Sequence, residues 1–179
     1  MLTSKSSPII VADCGPLIAL AKIECLHILP LLFAKLYIPK TVFLEATLGM
    51  PSADSERIKE FCTNLSFTQV CEDAHGVAEL AKISQLSIVL DAGESQAICL
   101  AEKMQCVLLV DEKLARVIAA KRGLPIVGVL GVLIQAKRLG HIQLIQPLLM
   151  TLQSQGYFLS PQLITQALIL SGEAPMSHA

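Results

Sequence analysis

Two short apolar runs, each ended by an aspartate, constrain the fold of this chain more than any other feature of its sequence. Residues 8–12 precede Asp13, and residues 106–110 precede Asp111. An apolar run bounded by polar residues is typical of a parallel strand that is buried on both faces. Helical patterns separate these runs, as expected where crossover helices join neighbouring strands. The order predicts an α/β fold, in which a central parallel β-sheet is flanked by α-helices on both faces.

Glycine, proline and small polar residues mark the ends of the other elements. They predict strands at 8–13, 36–38, 66–71, 106–110 and 125–127, the third of them exposed or at a sheet edge. From Gly128 onward the pattern is helical, over about 129–139, 143–155 and 160–170. We therefore expect a flexible N-terminus over 1–8, one domain over 9–142, a helical C-terminal extension over 143–172 that packs on this domain, and a flexible tail over 173–179.

The composition favours a soluble protein. Of the 179 residues, 53% are hydrophobic and 16% are charged, which excludes a disordered chain. The apolar run 124–136 is too short to cross a bilayer, and the first residues lack the apolar stretch of a secretion signal. We expect a cytoplasmic protein that has no membrane partner.

The charges are distributed unevenly, although the net charge is only −1. Residues 1–112 hold 14 of the 15 acids, whereas residues 113–172 hold none. Six bases lie in this second segment: Lys113, Arg116, Lys121, Arg122, Lys137 and Arg138. They are either solvated charges grouped by chance or a basic rim able to hold a polyanion beside an acidic pocket.

Carboxylates recur where the predicted strands end. Asp13 and Asp111 each follow a strand and precede a helix, so each could be a helix N-cap. The carboxyl ends of parallel strands also meet at one edge of a sheet, where ligands bind. Asp91 and Glu94 match the D-x-x-E capping box at the start of a helix. Glu45 lies on another predicted helix, where it is either solvated or directed along the face that packs on the sheet.

Taken together, these acids predict a metal site. The carboxylates of Asp13, Glu45, Glu94 and Asp111 would form a negative pocket that requires a cation as counter-charge. Oxygen ligands without His or Cys favour Mg²⁺ or Mn²⁺ over zinc. Such a site suits the hydrolysis of phosphodiester bonds, because the metal activates water and neutralises charge in the transition state.

Five segments follow one another in an order that resembles a known family. They comprise residues 11–18, 38–45, 90–101, 109–116 and 128–133, and the resemblance extends over about 9–170. The succession is similar to the PIN-domain family of metal-dependent ribonucleases, which includes the VapC-type toxins of prokaryotic toxin–antitoxin pairs. It is most similar to a prokaryotic PIN-like branch with a D-x-G-E-x-x-A-I-x-L-A helix and a D-[DE]-x-x-A-R strand exit.

The resemblance implies a PIN fold and a cluster of three or four acids that binds Mg²⁺ or Mn²⁺ for endonucleolytic cleavage of RNA. By position, Asp13 corresponds to the ligand of the first strand, Glu45 to the helical acid and Glu94 to the third acid. Asp91 is either a supporting acid or only a helix cap.

The fourth acid of the family pattern has two candidates in this chain. Asp111 is the first residue after the predicted strand. When the following helix is aligned with the family pattern, however, Glu112 takes the position of the fourth acid. The chain also departs from the pattern at Cys14 and Gly15, where many members carry a hydroxyl residue that supports the metal.

The resemblance also implies partners. Single-stranded RNA would be the substrate, and the six bases from Lys113 to Arg138 would form its nucleic-acid-binding rim. The apolar helices after Gly128 either pack in the core or offer a groove to an antitoxin protein or to a second copy in a homodimer. The alternatives to a ribonuclease are a non-catalytic PIN-like binding module and a carboxylate-metal phosphatase.

Overall fold

The computed structural model describes residues 7–48, 52–74 and 76–173, so most of the predicted flexible ends, 1–8 and 173–179, lies outside the described residues. The strands are β1 (Ile9–Ala12), β2 (Lys35–Pro39), β3 (Thr68–Cys71), β4 (Val107–Leu109) and β5 (Ile126–Val127). The helices are α1 (Cys14–Lys22), α2 (Leu29–Leu32, after a 3₁₀ turn at Leu26–Ile28), α3 (Lys40–Thr47), α4 (Ala53–Cys62), α5 (Val77–Leu86), α6 (Ala92–Met104), α7 (Lys113–Lys121), α8 (Val129–Arg138), α9 (Gln146–Ser154) and α10 (Pro161–Ser171).

The five strands form one parallel sheet in the order β3-β2-β1-β4-β5. This confirms the predicted central sheet, and β3 lies at its edge as the alternating pattern indicated. In β1, the central strand, Ile10, Val11 and Ala12 are all fully buried. Because successive side chains of a strand point to opposite faces, this burial requires helices on both faces of the sheet.

Local signals set the helix boundaries. A reciprocal capping box starts α6, where the Asp91 side chain accepts from the Glu94 N–H and the Glu94 side chain accepts from the Asp91 N–H. Ser160 caps the start of α10 because its side chain accepts from the Leu163 N–H, and Gly172 in the left-handed conformation caps the end of the helix. These ends agree with the expected ones to within a few residues.

Helix α5 starts later than the sequence pattern suggests. The pattern predicts helix from residue 73, but α5 begins at Val77. Asp73 is used elsewhere, since its carboxylate accepts hydrogen bonds from the Thr41 N–H (3.0 Å) and hydroxyl (2.5 Å) in the first turn of α3. Asp73 thus stabilises the first turn of α3, and it does not form part of α5.

Within the described residues, no single helix is long and apolar enough to cross a membrane. Among the described helices, one pair, Cys14–Lys22 and Leu26–Leu32, reaches that length and composition together, and it is bent by 112°. Leu17, Leu20 and Ile28 of this pair are fully buried in the core.

The end of α6 provides a test of local strain. Gln105 is exposed and adopts a left-handed conformation (φ 49°) that glycine tolerates better than other residues. We expect Gln105→Gly to raise the free energy of unfolding by about 1 kcal/mol, measured by urea denaturation. The matched control is Gln135→Gly in the interior of α8, where the same change should lower stability by about 1 kcal/mol. Equal effects at both positions would contradict this explanation.

Candidate active site

The acids that follow the strands lie where the sheet reverses its order. From β1 the chain adds β2 and β3 on one side, and it later adds β4 and β5 on the other. Ligand sites of open parallel sheets lie outside the carboxyl ends of the strands at such a switch point. Asp13 directly follows β1, and its backbone N–H donates to Leu109 O at the end of β4 (3.0 Å). The exits of the two strands are therefore side by side.

One oxygen of the Asp13 carboxylate is buried without a hydrogen-bond partner. The residue is only 4% exposed, and its Oδ1 accepts no hydrogen bond. Asp13 occupies the N-cap position of α1, but its side chain makes no capping hydrogen bond. Burial raises the pKa of Asp13 to about 7, and the charges of Asp91 and Glu94 contribute to this shift. A buried carboxylate in this state is destabilising unless a ligand binds it.

Asp91 and Glu94 bring two further carboxylates to the same edge through the capping box of α6. Helix α6 precedes β4 and therefore begins near the carboxyl edge of the sheet. The Glu94 N–H donates to Asp91 Oδ1 (2.8 Å), and the Asp91 N–H donates to Glu94 Oε2 (3.1 Å). Glu94 is 7% exposed. Burial raises the pKa of Glu94, and the charges of Asp91, Glu112 and Glu45 raise it further.

Glu45 reaches this cluster from α3. A Cβ atom at Gly93 would lie 2.2 Å from Glu45 Oε2, so the carboxylate lies directly against the first turn of α6. Burial raises the pKa of Glu45, as does the charge of Asp91, while hydrogen bonds from the Cys14 thiol and the Gly93 backbone lower it. Burial and the charges of Asp13 and Glu45 raise the pKa of Cys14 to about 12, which keeps this thiol a neutral donor.

The two candidates for the fourth acid point to different places. The charge of Glu112 acts on Glu94, although a Glu112 oxygen also caps α7 by accepting from the Ala115 N–H (2.7 Å). Asp111 does not join the cluster. Its two oxygens accept from the Val129 N–H at the start of α8 (3.2 and 3.3 Å). The geometry favours Glu112 over Asp111, because successive side chains of an extended segment point in opposite directions.

Asp73 is an acid of this edge that the sequence reasoning missed. It lies two residues beyond the end of β3, and its charge contributes to the raised pKa of Glu45. The available signal was the same strand-end position that singled out Asp13 and Asp111. Since the pattern assigned residue 73 to a helix, this signal was not used.

The donor set fits a hard divalent cation, although no ligand cage is preformed. Within residues 7–48, 52–74 and 76–173, no three Asp, Glu, His or Cys side chains are arranged to hold a metal ion. Mg²⁺ commonly uses only one or two carboxylates and retains several waters. The free Oδ1 of Asp13, with Glu45 and Glu94 near it, is consistent with such a site. Mutual repulsion among these acids would be relieved by a bound cation.

The six bases of the predicted rim differ in whether they already have a partner among the described residues. Lys113 and Lys121 are exposed, and they make no hydrogen bond or ion pair with any described residue. Arg122 pairs with Glu102, and Lys137 pairs with the buried Glu173 (2.6 Å). The guanidinium groups of Arg116 and Arg138 donate to Val110 O (2.9 Å) and Leu170 O (3.1 Å). Lys113 and Lys121 are therefore the two bases of this set that have no partner among the described residues, and they are the best candidates for contact with a polyanion.

An open parallel sheet with carboxylates at its switch point defines an α/β fold with a candidate ligand site at the carboxyl ends of its strands. A family model described as a PIN domain (DUF3368) matches residues 9–173. The chain therefore belongs to the PIN-domain family. Comparison with curated proteins gives no match. The predicted family and fold are thus confirmed, and the match includes the two C-terminal helices.

Two glycines beside the acids allow a matched test of the cluster. Gly93→Ala would place a Cβ 2.2 Å from Glu45 Oε2, whereas Gly15→Ala would place one at an ordinary 3.7 Å from Asp13 Oδ2. We expect Gly93→Ala to weaken Mn²⁺ binding by roughly 10-fold or more, because Glu45 must move. Gly15→Ala should leave Mn²⁺ binding within about twofold and stabilise α1 slightly. Isothermal titration with MnCl₂ measures both, and equal affinities would show that the position of Glu45 does not matter.

Proposed function

We propose that this chain is a metal-dependent endoribonuclease that hydrolyses RNA phosphodiester bonds with Mg²⁺ or Mn²⁺. The observation that carries the proposal is the buried, unpartnered Oδ1 of Asp13 at the switch point of the sheet, surrounded by further acids. Family membership supports a nuclease-type activity, and the carboxylate oxygens favour hard cations.

Each acid has a distinct task in this proposal. Asp13, Glu45 and Glu94 hold the cation, with Glu112 at the edge of the cluster and Asp91 positioning Glu94 through the capping box. When bound, the cation activates water and neutralises negative charge on the phosphate. Gly93 and the Cys14 thiol orient the Glu45 carboxylate, and the buried setting of Asp13 keeps it away from bulk water.

The direct test is cleavage of a labelled single-stranded RNA with purified protein. We expect fragments with MnCl₂ or MgCl₂ and none with EDTA. The same assay with a small phosphomonoester separates a ribonuclease from a carboxylate-metal phosphatase. Intact RNA under all metal conditions would contradict the proposal.

The exposed bases Lys113 and Lys121 of α7 lead us to expect that RNA binding weakens as the salt concentration rises. Replacing Lys113 and Lys121 by Gln should weaken RNA binding several-fold and reduce the slope of log K against log[salt] by roughly one unit, because single strands release about 0.7 counterion per contact. Fluorescence anisotropy in EDTA measures binding without cleavage. Lys59→Gln, which removes a base already paired with Glu56, is the control and should change neither quantity. An unchanged slope in the double variant would place RNA elsewhere.

A binding module without catalysis is the second candidate, favoured by a specific observation. Cys14 and Gly15 follow Asp13 where the family pattern places a hydroxyl, and the described residues form no preassembled metal cage. This candidate predicts RNA or protein binding that Asp13→Asn leaves intact, with no metal-dependent cleavage. For the ribonuclease we propose the role of the toxin in a toxin–antitoxin pair, with an antitoxin protein or a second copy of the chain as partner. For either candidate we propose a cytoplasmic location.

A further inference from the structure

A pocket lies between α8 and α10, and its lining includes none of Asp13, Glu45, Asp91 and Glu94. Its volume is about 420 Å³, a size typical of small-molecule sites. The walls are mainly apolar and include Leu130, Ile134 and Ala167. Leu163 and Leu170 lie at 45% and 47% exposure, and the neighbouring Phe158 is 88% exposed. An apolar ligand could therefore enter from solvent and cover surface that water now contacts.

The polar lining of this pocket offers unused donors but few unused acceptors. Asp111 accepts from the Val129 N–H with both oxygens and also interacts with the Tyr157 hydroxyl. Arg116 makes one hydrogen bond to the rest of the described chain, from Nη1 to Val110 O (2.9 Å), and its charge also acts on the neighbouring Asp111 carboxylate, whose pKa it lowers. A guanidinium has five N–H donors, so most of them remain available to a ligand. The complementary head group is an acceptor, and a carboxylate fits the guanidinium fork best.

We propose that this pocket binds a small amphipathic carboxylic acid, with its carboxylate on Arg116 and its apolar tail along α8 and α10. Asp111 is held at the floor by Val129 and leaves no room for a side chain at position 128, where a Cβ would lie 2.3 Å from Asp111 Oδ1. The strand-end aspartate thus lines this pocket, whereas the charge of the adjacent Glu112 acts on Glu94 of the acid cluster. The proposal does not depend on the ribonuclease activity.

The test is isothermal titration of the full chain with decanoate, decanol and decylammonium, each below its micelle concentration. Decanoate should bind at least about tenfold more tightly than the other two, because charge-assisted hydrogen bonds contribute a factor of this order. Arg116→Met should weaken decanoate binding by about tenfold or more and leave decanol unchanged. Arg57→Met, which removes an arginine outside this pocket, is the matched control and should bind decanoate like the native chain.

A second variant guards against a folding defect in Arg116→Met. Leu163 lies at the mouth of the pocket and is exposed, so Leu163→Glu should fold normally and repel decanoate. Equal binding of all three probes, or decanoate binding that neither variant affects, would overturn the proposal. So would a dimer in sedimentation that Phe158→Asp dissociates and that excludes decanoate, because a second copy would then cover the pocket.

Discussion

Asp13→Asn should abolish metal-dependent cleavage, with a loss of at least about 100-fold in rate, because the cation loses its most buried carboxylate. The change removes a charge but keeps the shape of the side chain. Initial rates on a labelled single-stranded RNA at saturating MnCl₂ measure the effect. Asp54→Asn, in the first turn of α4, where the side chain pairs with Arg57 (3.2 Å) and not with the acid cluster, is the matched control and should retain full activity.

The same variant should be more stable than the native chain when no metal is present. The pKa of Asp13 is about 7 in the folded state against an ordinary value of 3.8. The acid is protonated in both states below about pH 4, and the metal-free fold loses stability as the pH rises from there to about 7. At pH 8 in EDTA, Asp13→Asn should therefore raise the free energy of unfolding by roughly 1–3 kcal/mol.

The cleavage rate and the pH-dependent stability of Asp13→Asn together distinguish a metal ligand from a residue that only stabilises the fold. At about pH 3 the native chain and Asp13→Asn should have nearly equal stability, since the Asp13 side chain is then mostly neutral in both the folded and the unfolded state. A variant that cleaves RNA normally would exclude the assigned site. A variant that is less stable at pH 8 than the native chain would show that the Asp13 charge has a protein partner.

Glu173→Ala should lower the free energy of unfolding by about 3–5 kcal/mol, the largest stability effect that we expect in this chain. Glu173 is 8% exposed and forms an ion pair with Lys137 (2.6 Å). It also accepts from the backbone N–H groups of Ile145 (2.6 Å) and Gln146 (3.0 Å) at the start of α9. Its loss leaves a poorly hydrated ammonium and two unsatisfied donors.

Urea denaturation followed by circular dichroism measures this loss. Glu56→Ala is the matched control, because it breaks the exposed Lys59–Glu56 pair and should cost less than about 0.5 kcal/mol. Lys137→Met should have an intermediate effect, since Glu173 keeps its two backbone donors. A cost below about 1 kcal/mol for Glu173→Ala would mean that this contact does not hold α9 and α10 to the domain.

The sequence predicts the sheet well because its signals are local. The apolar runs that end at Asp13 and Asp111 carry the strand signal in consecutive residues, and the Asp91–Glu94 spacing marks the start of α6. Each of these features depends on neighbours within one or two turns. They therefore fix element type and approximate boundaries without knowledge of tertiary contacts.

The fate of individual charges depends on partners that are distant in the chain. Asp13 and Asp111 have the same strand-end pattern. The Asp111 carboxylate, however, accepts a hydrogen bond from the Val129 N–H, 18 residues on, and does not join the cluster. Lys137 likewise belongs to the basic segment, but Glu173, 36 residues on, pairs with it. Composition and periodicity contain no information on such pairings, so the membership of the site could be predicted only in part.

The central claim is that carboxylates from β1, α3 and α6 meet to hold a hard divalent ion. Crystals soaked in MnCl₂ and measured above the manganese absorption edge test it most directly. We predict one strong anomalous peak in contact with Asp13 Oδ1 and with Glu45 or Glu94. A peak at Asp111 alone, or no peak near Asp13 at saturating Mn²⁺, would contradict the claim.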